Sequence, residues 1–137
     1  MALNATLLRE SFGLVIDRQP QLVHRFYEIL FSRYPQAKPL FSRNSPAKQE
    51  EMLGAALVAV LDHVEDAAWL ESTLKGMGAK HVDYGVTKEM YGWVGESLLA
   101  TLAEVAGPDW TPPLVAAWTE AYGAIASLMQ AGAAERA

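Results

Sequence analysis

The chain has 137 residues, 51% of them hydrophobic and 20% charged, a balance that predicts one globular domain over residues 1–137. A chain of this length buries roughly 70% of the surface that its unfolded form exposes. Net charge is −5, from 11 Lys and Arg against 16 Asp and Glu, and the basic residues form no stripe, so no nucleic-acid partner is expected. There is no cysteine, which excludes disulfides, thiol catalysis, zinc–thiolate sites and iron–sulfur clusters within the chain. The segment from Met1 to Asn4 lacks the basic-then-apolar pattern of a leader. The longest apolar run, Met52 to Leu61, falls well short of the roughly 20 residues that a spanning helix needs. A cytoplasmic protein with no membrane partner is expected.

Helical periodicity dominates from end to end, and strand alternation is absent. Leu7, Leu8, Phe12, Val15 and Ile16 predict a first helix from near Asn4 to before Pro20. Leu22, Phe26, Ile29 and Leu30 predict a second, ending around Tyr34-Pro35. Two prolines restrict the stretch from Pro35 to Phe41 to a short piece. Ser45-Pro46 reads as an N-cap followed by an N1 proline, opening a third helix that runs to about Val64. Asp66 is the next N-cap. The helix after it, with Trp69, Leu70, Leu74 and Met77, is expected to weaken through Gly76 and Gly78 before His81. Gly85 breaks the chain, Thr87 caps a helix that ends at Gly107-Pro108, and Thr111-Pro112 opens the last. That helix carries Leu114, Trp118, Tyr122, Ile125 and Met129, and its tail from Gly132 is expected to fray.

Three histidines are present. His24 and His63 stand apart from other candidate ligands and read as surface or satisfied core residues. His81 has Met77 one turn before it on the same helical face, with Gly85 and Val86 just beyond. From that spacing alone, a ligand role and a packing role stay equally open. Glu50-Glu51 reads as a solvated first turn, where carboxylates favour the positive end of the helix dipole. The four tryptophans read as packing residues. No His-Glu-x-x-His, Gly-x-Ser-x-Gly or Gly-rich phosphate loop is present.

Six short motifs occur in order. They are Phe26-Tyr27-x-x-Leu30-Phe31, Pro39-Leu40-Phe41, Gln49-x-x-Met52-Leu53, Lys80-His81-x-x-Tyr84-Gly85, Tyr91-x-x-Val94-Gly95-Glu96-x-Leu98-Leu99 and Ala117-Trp118-x-x-Ala121-Tyr122-Gly123. In this order and spacing, across essentially the whole chain, they resemble the globin family, specifically bacterial single-domain globins and the globin domain of flavohaemoglobins. The resemblance implies an all-α, three-over-three globin fold around a haem b, held non-covalently because no Cys-x-x-Cys-His is present. It implies His81 as the proximal ligand to iron and Phe41 as the ring stacked on the porphyrin. Tyr27 and Gln49 would be the distal hydroxyl and amide, with Leu53 shielding the ligand one turn later. Tyr91 would lie on the proximal side. Phe41, Gln49, Leu53, Met77, Lys80, His81, Val86, Tyr91 and Val94 would line the cofactor, and Tyr27, Gln49 and Tyr91 would carry the chemistry.

The implied function is reversible binding of dioxygen and other diatomic gases. Dioxygen becomes partly anionic when it binds ferrous iron, so the Tyr27 and Gln49 donors would stabilise it. Two alternatives follow. One is a nitric oxide dioxygenase that depends on a separate reductase, since this chain carries no Gly-rich dinucleotide loop after a strand. The other is a gas sensor. A haem-free sensor is disfavoured by His81, Tyr27 and Gln49 together, and a bilin by the missing cysteine. The chain also departs from the flavohaemoglobin pattern. The proximal glutamate expected eleven residues after Tyr122 is replaced by Ala133. Glu135 stands two positions on, about 200° around a helix. A weaker electronic push from the proximal side is implied.

Overall fold

The computed structural model describes residues 4–41, 45–83 and 85–136. Among the described residues six α-helices follow one another: α1 Ala5–Arg18, α2 Leu22–Arg33, α3 Pro46–Asp62, α4 Ala67–Asp83, α5 Lys88–Ala106 and α6 Pro112–Arg136. Short 3-10 turns occupy Pro35–Phe41 and Gly107–Asp109. No strand occurs among the described residues. The helix α4 lies along α6, and α2 lies along α5, while α1 packs across α5 and α6. The architecture is all-α, as the sequence motifs lead one to expect.

Local chemistry explains several of the helix boundaries. The Asn4 side chain accepts from the Leu7 amide at 3.1 Å, Ser45 from Lys48 at 3.2 Å, and Asp66 from Trp69 at 3.1 Å. Each satisfies an N–H group that the first turn leaves without a partner. Helix α5 ends where Gly107 takes φ +56°. The core that joins α1, α5 and α6 holds Leu8, Val15, Leu102, Ala106 and Trp118, and the Trp118 indole donates to the Ser11 hydroxyl at 2.9 Å.

Two expectations are corrected. Helix α4 does not weaken at Gly76 and Gly78 but runs on to Asp83. Helix α6 does not fray at Gly132 but continues to Arg136. Both corrections come from one contact. A Cβ added at Gly78 would sit 1.8 Å from the Met129 carbonyl oxygen, and one at Gly132 would sit 2.0 Å from the Lys75 carbonyl oxygen. The two glycines let the backbones of α4 and α6 touch, so packing holds both segments helical despite glycine's poor propensity.

The contrast with Gly76 gives a prediction of opposite signs two residues apart. A Cβ at Gly76 meets nothing within 4 Å. Gly76→Ala is expected to raise stability by about 0.5–1 kcal/mol through helix propensity. Gly78→Ala is expected to lower it by about 1–3 kcal/mol, because overpacking against rigid backbone outweighs the same propensity gain. Urea midpoints of the two variants, read by far-ultraviolet circular dichroism, should move in opposite directions. A Gly78→Ala midpoint at or above wild type would show that the helices can separate at little cost.

Candidate gas-binding site

His81 stands on the last full turn of α4. Its Nδ1 lies 2.6 Å from the Met77 carbonyl oxygen one turn earlier. A carbonyl can only accept, so Nδ1 carries the proton, and in the neutral ring the lone pair sits on Nε2. A backbone carbonyl on one ring nitrogen is the arrangement that orients a metal-ligating histidine and raises its basicity. The end of α4 is fixed by a Schellman-type cap. Gly85 has φ +86°, its N–H bonds the Val82 carbonyl, and the Val86 N–H bonds the His81 carbonyl, both at 3.0 Å. The glycine that the sequence marks as a chain break therefore anchors the histidine's own backbone. Tyr84, named in the same motif, lies outside the described residues.

Around His81 is an apolar cluster built on Leu70, Leu74, Tyr91, Ala126 and Met129, with Met77 and Val86 packed against it. The Tyr91 ring centroid lies 6.5 Å from that of His81. The Tyr122 hydroxyl donates to the Tyr91 carbonyl at 2.6 Å, and the Tyr122 ring lies so close over Gly95 that a Cβ there would stand 2.6 Å from it. Burial raises the pKa of both phenols. Lys80 is exposed beside His81.

A second cluster forms on Phe26, Tyr27 and Leu30, with Phe31, Phe41, Leu53 and Val94 packed against it. Tyr27 is 7% exposed and is held among three rings: Phe26 at 5.1 Å, Phe41 at 5.4 Å and Phe31 at 5.7 Å. The Gln49 amide lies close to the Tyr27 hydroxyl. Burial, opposed by that neighbour, pushes the Tyr27 phenol above its usual pKa, so it remains a proton donor at neutral pH. The two clusters meet on α5, where Tyr91 and Val94 are one turn apart.

The structure thus gathers the sequence-predicted residues into two groups. Phe41, Gln49, Leu53 and Val94 stand with Tyr27, while Met77, Val86 and Tyr91 stand with His81. Phe31 belongs with them and was missed, although its position four residues after Tyr27 on one helical face is the signal for it. Glu135 is exposed and pairs with Lys75 at 3.3 Å, so it is not hydrogen-bonded to Tyr91. Glu50 is not the solvated residue expected. It is half-buried and bonds His24 at 2.8 Å. His63 is satisfied, with Nδ1 2.8 Å from the Ala59 carbonyl oxygen and its ring stacked on Trp69.

A flat, apolar group suits this arrangement on three counts. Leu53, Leu57 and Val60 on one face of α3 are only half-buried, although a core helix of this composition would cover them. The Tyr91 hydroxyl is buried without a hydrogen bond, which costs about 1–3 kcal/mol unless another group satisfies it. His81 presents the tautomer that a metal needs at Nε2.

Fold and site define a helical protein of globin architecture. A globin family model matches residues 24–129. The flavohaemoprotein of Bordetella pertussis is 34% identical over 125 residues, an alignment covering 90% of this chain and 31% of that protein. A bacterial globin from Campylobacter jejuni superposes with a TM-score of 0.80 at 25% identity, covering 96% of this chain and 94% of that one. An engineered carbene transferase from Rhodothermus marinus, a proposed nitric oxide dioxygenase, superposes with a TM-score of 0.82 at 30% identity, covering 96% and 91%. This chain belongs to the globin family. It spans less than a third of the length of the curated flavohaemoproteins that it matches. Among the described residues, no helix is long and apolar enough to cross a membrane.

Proposed function

We propose that this chain is a haem b globin that takes up and releases dioxygen and other diatomic gases reversibly. The observation that carries the reading is the His81 imidazole, whose Nδ1 proton is committed to Met77 so that Nε2 holds the lone pair for iron. Haem, when bound, supplies the iron that takes the gas. Phe41, Leu53, Met77, Val86 and Val94 would cover its faces, and the exposed Lys80 ammonium suits a carboxylate at its rim. Tyr91 would meet it or His81 through its otherwise unpartnered hydroxyl. Tyr27 donates from a site made rigid by three rings. A Gln49 amide donating to the Tyr27 oxygen would polarise the phenol O–H and strengthen its own donation. Together they would steady the partly anionic gas by about 1.5–3 kcal/mol per charge-assisted bond. Optical spectra of purified ferric, ferrous and oxygen-exposed protein test this. A Soret band that shifts reversibly with oxygen is expected, and its absence would remove the reading.

Similarity to flavohaemoproteins and to the Rhodothermus protein favours a second reading, nitric oxide dioxygenation. Nitric oxide, dioxygen and one electron combine to give nitrate, so every turnover consumes an electron. The isolated chain is expected to convert one equivalent of nitric oxide and then stop until a separate reductase supplies the next electron. Glu135, held at the surface by Lys75, cannot strengthen the proximal side through Tyr91, so reaction with peroxide should be slow. Stopped-flow mixing with nitric oxide, with and without NADH and an added flavin reductase, checks this. Sustained turnover with NADH alone would contradict it. A negligible first turnover would favour storage or sensing.

A further inference from the structure

Beside the Tyr27–Gln49 contact lies a second bridge between the same two helices. His24 precedes Tyr27 by three residues on one face of α2, and Glu50 follows Gln49 on α3. The His24 Nδ1 lies 2.8 Å from Glu50 Oε2. Tyr27 is buried and Gln49 half-buried, while the outer bridge is half-solvated: the His24 side chain is 51% exposed and that of Glu50 is 26% exposed. On its own helix, His24 Nε2 lies 3.9 Å from Glu28 Oε2. Glu28 in turn lies 3.6 Å from Arg25, whose guanidinium grips Glu104 of α5 through two contacts of 2.6 Å. His24 therefore faces two carboxylates, with Arg25 the next charge beyond them. The hydrogen bond that Glu50 accepts leads in raising the His24 pKa above 6.5, helped by the charges of Glu50 and Glu28 against partial desolvation.

Elsewhere at the start of α3, Ser45 caps the first turn and the half-buried Leu53 packs against the Tyr27 cluster, while Leu61, near the other end, is the helix's buried residue. A charge-assisted hydrogen bond is roughly twice as strong as a neutral one, so protonated His24 grips Glu50 more firmly than the neutral ring does. We propose that His24 and Glu50 are positioning residues that hold the first turn of α3, and with it Gln49, against Tyr27, so that gas release quickens as pH rises through neutrality. The inference rests on the reading of Tyr27 and Gln49 as gas-facing donors. Its sign follows from His24. A group whose folded pKa is raised contributes below its unfolded value and loses that contribution as pH passes its folded value. Tyr27, held above its ordinary 10, keeps its proton throughout that range.

The test measures oxygen release from the oxygenated holoprotein by stopped flow at pH 6 and pH 9. Release at pH 9 is expected to be about threefold faster, the scale of one exposed ion pair. Glu50→Gln and His24→Gln should flatten the profile, releasing at pH 6 as fast as wild type does at pH 9. His63→Gln should leave the slope intact. A proton NMR titration of the carbon-monoxide-loaded protein should place the His24 ring above 6.5 in wild type and nearer to 6.5 in Glu50→Gln. Wild-type release that ignores pH, or a slope that survives both variants, would overturn the positioning role. A chain that shows no Soret band would overturn instead the haem reading beneath it.

Discussion

His81→Gly is expected to leave the purified protein with little haem, and added imidazole is expected to restore the Soret band. The substitution removes both the Nε2 lone pair and the ring that Met77 and the Gly85 turn hold in place. The remaining wall is apolar and survives, so the pocket should still accept the cofactor once a free imidazole fills the gap. Haem content per chain and the ferrous spectrum with and without imidazole measure this. Full haem retention with an unchanged ferrous spectrum and no imidazole would assign the iron ligand elsewhere. His24→Gly and His63→Gly are the comparison, since His24 faces solvent and His63 is occupied by Ala59 and Trp69. Both should keep their haem.

Helix starts were legible because their signals are local. Asn4, Ser45-Pro46 and Asp66 each act within three residues of themselves. Gly78 and Gly132 were misread for the opposite reason. Within a single helix a glycine is only a loss of propensity. Its value here depends on a carbonyl more than 50 positions away, and no short-range pattern reports that. The same reasoning separates the site residues. The position of Met77 one turn before His81 follows from helix geometry alone, and its backbone carbonyl lies 2.6 Å from Nδ1. Tyr27 and Gln49 are 22 positions apart, and their meeting depends on how α2 crosses α3. Only the order of the globin-like motifs suggested it. The His24–Glu50 bridge lies at that same crossing, and nothing in the motifs marked it, so each residue by itself looked like an ordinary surface group.

Tyr27→Phe is expected to speed oxygen release by about tenfold or more, the scale of one charge-assisted hydrogen bond, and to do so more strongly than Gln49→Leu. The ranking comes from how each donor is held. Phe26, Phe31 and Phe41 fix the Tyr27 ring, and the residue is 7% exposed, so little rotamer freedom remains to be lost when its hydroxyl donates. Gln49 hangs from the first turn of α3, only half-buried, on a flexible side chain whose ordering costs more. Phenylalanine preserves the packing of the three rings and removes only the oxygen, so the variant isolates the hydrogen bond from the wall. It also leaves the Gln49 amide without the phenol oxygen beside it, free to turn toward the gas, and this should recover part of the loss. The double variant is therefore expected to release faster than either single one, and by more than the product of the two separate effects. Carbon monoxide, less polar when bound, should respond less to Tyr27→Phe than oxygen does. A larger effect of Gln49→Leu on oxygen release would reverse the ranking and make the amide, not the phenol, the principal donor.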